Sequence, residues 1–254
     1  MLINSDKELL ENLYVKQKLP DLAISKILNI SEMEVGKLRK KFRIRTFKRW
    51  ERHNIQIEEK QEQIIIGCLL GDGSISKDNR NSCHQSCLEF KQGPKQKDYL
   101  WWKYHQLKNL CISEPKELNN GQWRFRTVNH PVFSEMRKFW YPEKTKIISY
   151  SLIDKINILG LSVWFMDDGS NSNQGLFLKF CTCGFSYNEN IILRNVLQDK
   201  FQIKSQIRIY GGYNHLVIET GNRLKFINLI KPFIVPCLNY KLNIDRLEKM
   251  NELP

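Results

Sequence analysis

Apolar residues recur at helical spacing three times within the first 45 residues of the chain. Residues three, four and seven positions apart share one face of an α-helix, so each set predicts an amphipathic helix. The sets are Leu9, Leu10, Leu13 and Tyr14, then Leu22, Ile24, Ile27 and Leu28, then Val35, Leu38 and Phe42. Ser31, with Glu34 three positions later, is a capping-box signature that predicts the start of the third helix. The pattern predicts a small all-α unit over residues 1–45.

The third predicted helix has a basic outer face and follows the second across the short segment LNIS. Over residues 7–45 this arrangement resembles the helix-turn-helix DNA-binding family. Asn29 stands where that family usually has a turn glycine, and asparagine tolerates the left-handed conformation that such a turn needs. The DNA contacts that the resemblance implies are Lys37, Lys40, Arg43 and Arg45. A three-helix protein-interaction module is the alternative interpretation.

A run of basic residues continues beyond this helix. Between Lys37 and Arg52 the chain has nine Lys or Arg residues and one acid, Glu51. Such charges repel one another unless they lie along phosphates, so residues 46–60 are interpreted as a linker that tracks DNA, with contacts from Lys48 and Arg49. The whole chain has 40 Lys and Arg against 27 Asp and Glu, a net charge of +13, which favours a polyanionic partner. An inert basic surface or a ribosome-associated protein is the alternative.

From residue 61 onward the chain follows one plan twice. The apolar segments QEQIIIGCLLGDGSIS and NILGLSVWFMDDGSNS each open a pass, and strand-like, helical, alternating and helical segments follow in the same order. Equivalent segments stay about 90–96 positions apart, which is too long for a solenoid repeat. The pattern predicts a duplication into two similar lobes, residues 61–156 and 157–254.

Both opening segments are apolar on every side and end in an acid before a glycine, the usual helix stop. A helix that is apolar all round is buried all round. Gly67 and Gly71, four positions apart, let another backbone approach closely. If the two helices pack side by side, Asp72 and Asp168 meet at one end, where two carboxylates and two negative helix ends repel each other. The arrangement predicts a hard divalent cation between them. Two core helices whose terminal acids face water are the alternative.

These two segments also carry a resemblance to a known family. IIGCLLGDG (Ile65–Gly73) and LSVWFMDDG (Leu161–Gly169) resemble the nine-residue motif of the LAGLIDADG homing endonuclease family. Two motifs in one chain match its single-chain branch, which the closing segment FINLIKPFIVPCLNYKLN also resembles. The likeness covers residues 61–244 and implies an α+β fold of two pseudo-symmetric αββαββα-type lobes, whose curved antiparallel sheets form a saddle on DNA. Val163 replaces the glycine of the first motif, Gly67, and predicts slightly wider helix spacing there.

The resemblance implies an enzyme that cuts both strands of double-stranded DNA at a long site, by metal-dependent hydrolysis of phosphodiester bonds. Asp72 and Asp168 stand at the motif position of the metal-binding acid, and one acid serves each strand. The implied cofactor is Mg²⁺, with Mn²⁺ as a substitute. The predicted metal ligands are Asp72, Asp168, Gly71 and Asp167.

The family also uses one lysine in each lobe to order water beside the scissile phosphate. Lys241 in NYKLN matches directly, and its repeat counterpart falls at Thr145, between Lys144 and Lys146. The family's tendency is Lys, any residue, Ile, which Lys146 fits better. The predicted catalytic lysines are therefore Lys146 and Lys241, with Lys144 in reserve. An ordinary pair of surface lysines is the alternative.

Segments of alternating polarity supply the remaining predicted DNA contacts. In FQIKSQIRIYGGYNHLVIE, apolar residues alternate with polar ones, and Gly211-Gly212 marks a hairpin turn. One face of such a strand packs on helices, and the other can read base edges in a major groove. The predicted contacts are Glu89, Lys91, Arg124, Arg126, Lys179, Lys204, Gln206, Arg208 and Tyr210. An ordinary half-exposed sheet is the alternative.

Two other functions stay open at this level. One is a splicing cofactor, or maturase, with intron RNA as its partner; the other is a catalytically silent DNA-binding regulator. The chain has no apolar run of about 18 residues, so no membrane span is predicted, and its N-terminus lacks the pattern of a secretory signal. We expect a monomer inside the cell, in bacterial or phage-infected cytoplasm, with an organelle as the alternative.

The seven cysteines are scattered along the chain, which fits reduced thiols. Cys83 and Cys87 flank His84, and Cys181 and Cys183 form a close pair. Neither pair has the C-x-x-C spacing of a structural zinc site, so the spacing predicts none.

Overall fold

The computed structural model describes residues 2–44, 55–77, 85–171 and 177–242. The predicted contacts Arg45, Lys48 and Arg49, and most of the predicted linker, lie outside the described residues. The chain divides into two compact units, Met1–Asn54 and Ile55–Pro254, and the domain limits drawn from the sequence at residues 45, 60 and 156 stay predictions. In the part of the chain described here, no helix combines the length and the apolar character that a membrane crossing needs.

The N-terminal unit contains three α-helices in its described part. They are α1 (Leu2–Glu11), which a π-helical turn extends to Lys16, α2 (Asp21–Leu28) and α3 (Glu32–Lys41). The predicted capping box is present: the Glu34 N–H donates to Ser31 Oγ at 3.2 Å, and the Ser31 N–H donates to Glu34 Oε2 at 2.8 Å. Asn29 ends α2 in the left-handed conformation, with φ 53°. The exposed cations of α3 and its end include Lys37, Lys40 and Arg43.

Fewer apolar residues are buried in this unit than the three apolar sets predicted. Its buried apolar residues are Leu10, Leu13, Tyr14, Ile24, Val35 and Ile44. Leu9, Leu22 and Ile27 are exposed, which corrects their predicted place on buried faces. Each lies within one helical turn of a residue that faces the core, Leu10 for Leu9 and Ile24 for Leu22 and Ile27.

Arg39, counted in the basic run, belongs instead to the core of this unit. Its Nε donates to Asp21 Oδ1 at 3.0 Å, and its guanidinium lies 4.5 Å from the ring centroid of Tyr14. Arg39 is buried, and a buried arginine keeps its charge only when it is paired. Its role is therefore to join α3 to α2.

The larger unit carries the predicted plan twice. The first pass is α4 (Glu59–Leu70), β1 (Ser74–Ile75), β2 (Leu88–Gln92), α5 (Lys97–Leu107), β3 (Lys116–Glu117), β4 (Trp123–Arg126) and α6 (Pro131–Trp140), and α7 (Tyr150–Ile153) leads out of it. The second pass is α8 (Ile158–Asp168), β5 (Gly169–Asn171), β6 (Leu178–Phe180), α9 (Tyr187–Phe201), β7 (Ser205–Tyr210), β8 (Tyr213–Ile218) and α10 (Arg223–Ile230). The predicted αββαββα order is confirmed in both passes. Since α4 begins at Glu59, the last two residues of the predicted linker are helical.

Each pass builds one four-stranded antiparallel sheet with the same strand order. The orders are β1-β2-β4-β3 and β5-β6-β8-β7. Alternate residues of a strand point to one face, so Leu88 and Phe90 of β2, like Leu178 and Phe180 of β6, are buried in the common core. The opposite face of each sheet carries the polar residues. The predicted α+β class is thereby confirmed.

The β7–β8 hairpin follows its predicted alternation for only part of its length. Gly211 and Gly212 form the turn, and both have positive φ, 58° and 83°. Ser205 is buried and Ile207 packs against the core, but Ile209 is 66% exposed. Ile209 pairs with Asn214 next to the turn.

Candidate active site

The two motif helices, α4 and α8, pack along each other. A methyl group on Gly67 would lie 2.4 Å from the carbonyl oxygen of Gly160 and 2.7 Å from Val163 Cβ. Val163 therefore occupies the space that Gly67 leaves free. Gly160, about one turn earlier on α8, is a second point of close approach: a methyl group there would lie 2.9 Å from Gln63 Oε1. The sequence pattern predicted close approach at Gly67, in the first motif, but not at Gly160.

The glycine that follows each motif acid is required by space. A methyl group on Gly73 would lie 2.7 Å from the carbonyl oxygen of Cys68, and one on Gly169 would lie 2.2 Å from the Phe165 ring. Neither glycine has a positive φ. The predicted helix stop is confirmed at α8, which ends at Asp168 before Gly169, whereas α4 ends at Leu70 with Gly71 as its C-cap, two residues before the predicted stop at Asp72. These glycines let the chain turn back tightly against its own helix and enter the first strand.

Asp72 and Asp168 lie near each other at one end of the helix pair. Burial, together with the charges of Asp72 and Asp167, raises the pKa of Asp168 to about 7, although Lys146 and Lys241 act in the opposite direction. Asp168 is thus partly desolvated, whereas Asp72 is exposed, and the two lysines do not fully balance the negative charge around Asp168. The structure brings together all four residues predicted to be catalytic.

Gln92 orients the first acid and was not identified from the sequence. Its Nε2 donates to Asp72 Oδ2 at 3.0 Å. Gln92 is buried at the end of β2, on the same face as Leu88 and Phe90. Strand alternation could have found it, because a polar residue at an inward position needs a polar partner.

Lys146 is hydrogen-bonded to the main chain on both sides of the first motif acid. Its Nζ donates to the carbonyl oxygens of Gly71 at 3.2 Å and Gly73 at 2.9 Å. Burial lowers the pKa of Lys146 below its ordinary value, although the charge of Asp168 opposes the shift. Lys144, held in reserve by the sequence reading, is exposed. Lys146 is therefore the lysine that lies beside the motif.

Lys241 makes the corresponding contact in the second motif. Its Nζ donates to the carbonyl oxygens of Met166 at 2.6 Å and Asp167 at 3.0 Å. Burial lowers the pKa of Lys241 as well, against the charge of Asp167. Gly71 and Asp167 are equivalent positions of the repeat, so Lys146 and Lys241 bind the same carbonyl group of their respective motifs.

The side chain of Asp167 is engaged in the core. Lys103 Nζ, from α5, donates to Asp167 Oδ1 at 2.5 Å, and both side chains are almost wholly buried. Burial alone would lower the pKa of Lys103, but the charge of Asp167 outweighs it and raises the pKa above its ordinary value. Gly71 leaves the room for this carboxylate, since a methyl group there would lie 2.4 Å from Asp167 Cβ. The role of Asp167 as a metal ligand stays a prediction, since its carboxylate is paired with Lys103 and its main-chain carbonyl accepts from Lys241.

On the outer face of the first sheet, four predicted DNA contacts form one charged cluster. The strand register pairs Glu89 with Arg126 and Lys91 with Arg124. Glu89 lies 2.6 Å from Lys91 Nζ and 3.8 Å from Arg124 Nη1, and it also binds Arg126. Burial opposes the shift, but hydrogen bonds from Lys91 and Arg126 hold the pKa of Glu89 below its ordinary value. Three cations against one carboxylate leave this face positive.

The outer face of the second sheet carries the other predicted contacts. Arg208 Nη2 donates to Gln206 Oε1 at 3.2 Å. Lys179 Nζ lies 5.1 Å from the ring centroid of Tyr210, a cation–π contact. Lys204 precedes β7 and is exposed. These side chains share one polar face, as the alternation predicts.

Known proteins with the same sequence pattern and fold agree with this geometry. The family model described as the LAGLIDADG DNA endonuclease family matches residues 62–226. The cytochrome b mRNA maturase bI2 of Debaryomyces hansenii is 30% identical over 203 residues, 74% of this chain and 76% of the relative. A probable intron-encoded endonuclease 1 of Wickerhamomyces canadensis is 31% identical over 198 residues, 72% and 83% of the two chains. Among solved structures, the homing endonuclease I-WcaI bound to its DNA recognition sequence has a TM-score of 0.66 at 29% identity and covers 74% of this chain and 88% of its own. The chain belongs to the LAGLIDADG DNA endonuclease family.

Proposed function

We propose that this protein is a site-specific homing endonuclease that hydrolyses both strands of a long DNA target with a divalent cation, Mg²⁺ or Mn²⁺. The observation that carries the proposal is a two-fold set of residues at one end of the α4–α8 pair. Asp72 lies between the two carbonyls that Lys146 binds, and Asp168 is preceded by those that Lys241 binds. Both halves of this set are complete, which supports cleavage of two strands by one chain.

The acid pair fits a hard divalent cation. Oxygen ligands are those that Mg²⁺ prefers, and the pKa of Asp168, raised to about 7 by burial and by Asp72, indicates a site short of positive charge. Asp72 and Asp168 would hold the cation, with the carbonyls of Gly71 and Asp167 beside them. A divalent cation bound there supplies an activated water and neutralises charge on the leaving oxygen.

The lysines and Gln92 prepare this site for a phosphate. An ammonium group has three N–H donors. Lys146 and Lys241 each donate two hydrogen bonds to motif carbonyls. The third donor of each remains for the scissile phosphate or the attacking water. Gln92 fixes the orientation of Asp72 through its bond to Oδ2. Each side chain is held before DNA arrives, which lowers the reorganisation that the reaction requires.

The outer faces of the two sheets are the proposed surface for double-stranded DNA. The chain has a net charge of +13, and phosphate binding by such cations releases counterions. Arg124, Arg126 and Arg208 have the geometry for two hydrogen bonds to one guanine, and Gln206 has it for adenine. The DNA-bound state of I-WcaI supports a DNA partner here. Lys37, Lys40 and Arg43 of the N-terminal unit would add contacts outside the cleavage site.

A second function is favoured by one observation. The D. hansenii relative is a cytochrome b mRNA maturase, so we also propose intron RNA as a candidate partner. The two intact acids are not needed to bind RNA. The endonuclease proposal therefore explains more of the site.

Incubation of the protein with a plasmid library of random sequence, in Mg²⁺, tests the proposal. Sequencing of cut ends should reveal double-strand breaks at one long consensus site. Asp72→Asn and Asp168→Asn should each abolish these breaks and leave DNA binding in place, because each removes a charged metal ligand. Asp199→Asn, at an exposed acid of α9, is the control and should cut normally.

Two results would contradict the endonuclease proposal. One is full cleavage by both Asp72→Asn and Asp168→Asn, which would show that neither acid is needed for the reaction. The other is a wild-type protein that cuts no member of the library but binds its intron RNA tightly, which would favour the maturase function.

A further inference from the structure

A group of metal-ligand side chains lies on the outer face of the second sheet. Cys181 Sγ is 3.2 Å from Cys183 Sγ, and Cys183 Sγ is 3.7 Å from His215 Nε2. One ligand atom from each of the three residues lies within 4.8 Å of the others. We propose that Cys181, Cys183 and His215 bind one Zn²⁺ ion.

The spacing of these atoms suits tetrahedral zinc. With Zn–S near 2.3 Å and Zn–N near 2.0–2.1 Å, ligand atoms of one zinc ion lie roughly 3.5–3.8 Å apart. The Cys181–Cys183 and Cys183–His215 separations, 3.2 and 3.7 Å, need a shift of about half an ångström at most to reach that range. The Cys181 and His215 ligand atoms lie within 4.8 Å of each other and would approach by up to roughly 1.3 Å to share one ion. Three protein ligands leave the fourth position for water, and Cys181, the exposed member of the group, marks its solvent side.

The chemistry of the donors separates this group from the acid pair. Thiolate sulfur and imidazole nitrogen are soft or borderline ligands and select Zn²⁺, whereas Mg²⁺ prefers oxygen. The sequence predicted no zinc site because the two cysteines have one residue between them and not two. The third ligand, His215, lies 32 positions from Cys183, so only the pairing of β6 with β8 brings it into the group.

The turn that carries the cysteines is held by hydrogen bonds that do not involve the sulfurs. Thr182 Oγ1 donates to Asn190 Oδ1 at 2.6 Å and lies 3.2 Å from the carbonyl oxygen of Asn214. The Phe185 N–H donates to the carbonyl oxygen of Thr182 at 3.1 Å. The turn between β6 and α9 is therefore set before metal binds, and its two thiols point to the same place.

His215 is available as a ligand. It is 8% exposed, and among the described residues its Nδ1 has no hydrogen-bond partner, while Nε2 faces Cys183. Burial, aided by the charge of Lys179, lowers the pKa of His215, which keeps the imidazole in the neutral form that binds metals. Burial and Cys181 raise the pKa of Cys183 to about 11, so zinc binding would release protons from the thiols.

One member of the group, Cys181, occupies a position where the first lobe has a cation. Ser74 and Ser170 are equivalent positions of the repeat, and their strand partners are Glu89 and Lys179. Two residues further along the chain, Cys181 is therefore the counterpart of Lys91. Zinc with two thiolates is neutral, so the second lobe would gain a cross-link between β8 and the turn that follows β6, in place of a cation. The Cys181 N–H also donates to the carbonyl oxygen of Asp168 at 2.9 Å. The cross-link would therefore stabilise the segment after β6 that is hydrogen-bonded to the second acid.

The proposal is tested on the full chain, expressed without a histidine tag and kept reduced, with no DNA present. Metal analysis of the purified protein should find about one zinc ion per chain. Titration of metal-free protein with Co²⁺ should give a sulfur-to-cobalt charge-transfer band, which Zn²⁺ then removes. Changes beyond the ligands typically weaken metal sites about 10–100-fold. Cys181→Ser and Cys183→Ser should therefore each weaken Zn²⁺ binding by more than about 100-fold.

Cys237→Ser is the matched control, since Cys237 is an exposed cysteine outside the group, and it should bind zinc like the wild type. Cys181 is itself exposed, so its serine variant tests the site without disturbing the core, even if His215→Ala fails to fold. Wild-type protein that carries no zinc and gives no cobalt band would overturn the proposal. Equal zinc affinity in wild type, Cys181→Ser and Cys183→Ser would also overturn it, as would a Cys181–Cys183 disulfide that persists under zinc in reducing buffer.

Discussion

Lys103 and Asp167 form a buried ion pair, 2.5 Å between Nζ and Oδ1, that joins α5 of the first pass to α8 of the second. Lys103 Nζ also lies 4.2 Å from the ring centroid of Tyr99, and the Tyr99 hydroxyl contacts the carbonyl oxygen of Val163 at 3.4 Å. Asp167 directly precedes the acid Asp168, at a position where the two motifs differ, because the first motif has Gly71 instead.

Loss of Lys103 alone should therefore destabilise the larger unit severely. Lys103→Met leaves a buried carboxylate without its cation, which typically costs about 3–5 kcal/mol. The double variant Lys103→Met/Asp167→Asn removes both charges and should recover part of that loss. Urea unfolding followed by tryptophan fluorescence measures the effect, since five of the six tryptophans lie in the larger unit. An unchanged unfolding midpoint in the single variant would show that the pair contributes nothing.

The lysines beside the motifs should affect the rate of cleavage more than binding. Lys146→Met and Lys241→Met should each slow cleavage by about 10²–10⁴-fold, the usual size of general acid–base assistance. Nicked DNA should accumulate, because each lysine serves mainly one strand. Lys144→Met, at an exposed neighbour, is the control. Single-turnover cleavage and gel-shift binding separate the two effects. A damaging Lys144→Met beside a harmless Lys146→Met would contradict the assignment.

The close approach of the motif helices should make Gly67 intolerant of even a methyl group. Gly67→Ala places Cβ 2.4 Å from a backbone carbonyl, and such overpacking typically costs about 1–3 kcal/mol. Gly36→Ala is the matched control, a mid-helix glycine on α3 with no atom within 4 Å of the added Cβ. Alanine is the better helix former by up to about 1 kcal/mol, so the control should be neutral or stabilising. Urea unfolding of both variants and of the wild type tests this contrast. Equal unfolding midpoints for Gly67→Ala and the wild type would show that the two helices accommodate the methyl group without cost.

The N-terminal unit should contribute salt-dependent affinity. Removal of residues 1–54 should weaken DNA binding and reduce the slope of log K against log salt by about 0.9 for each phosphate that the shortened protein no longer neutralises. Cleavage should persist at higher enzyme concentration, because the acids and lysines lie in the larger unit. Full-length protein with Lys37→Ala, Lys40→Ala and Arg43→Ala should show part of the same reduction while its three helices stay intact. An unchanged slope in both proteins would mean that this unit does not bind DNA.

The sequence by itself determined the elements, the repeat and the family. Helical periodicity, strand alternation and capping are set by residues a few positions apart, so Ser31 with Glu34 and the hairpin at Gly211-Gly212 could be identified without a structure. The same local patterns, met twice, indicated the duplication, and the family resemblance implied the order αββαββα. The matched acids Asp72 and Asp168 were evident because duplication preserved their position in the chain.

Side-chain partners were decided only by the tertiary structure. Lys103 and Asp167 are 64 positions apart, and Gln92 and Asp72 are 20 apart on different elements. No local periodicity relates such residues, because their contact depends on which faces of two elements are pressed together. The same reason explains the zinc-ligand group, since β6 brings Cys181 to His215 only through its pairing with β8. The pattern of the chain thus specified which segments form the core, and the packing of those segments decided which polar groups meet inside it.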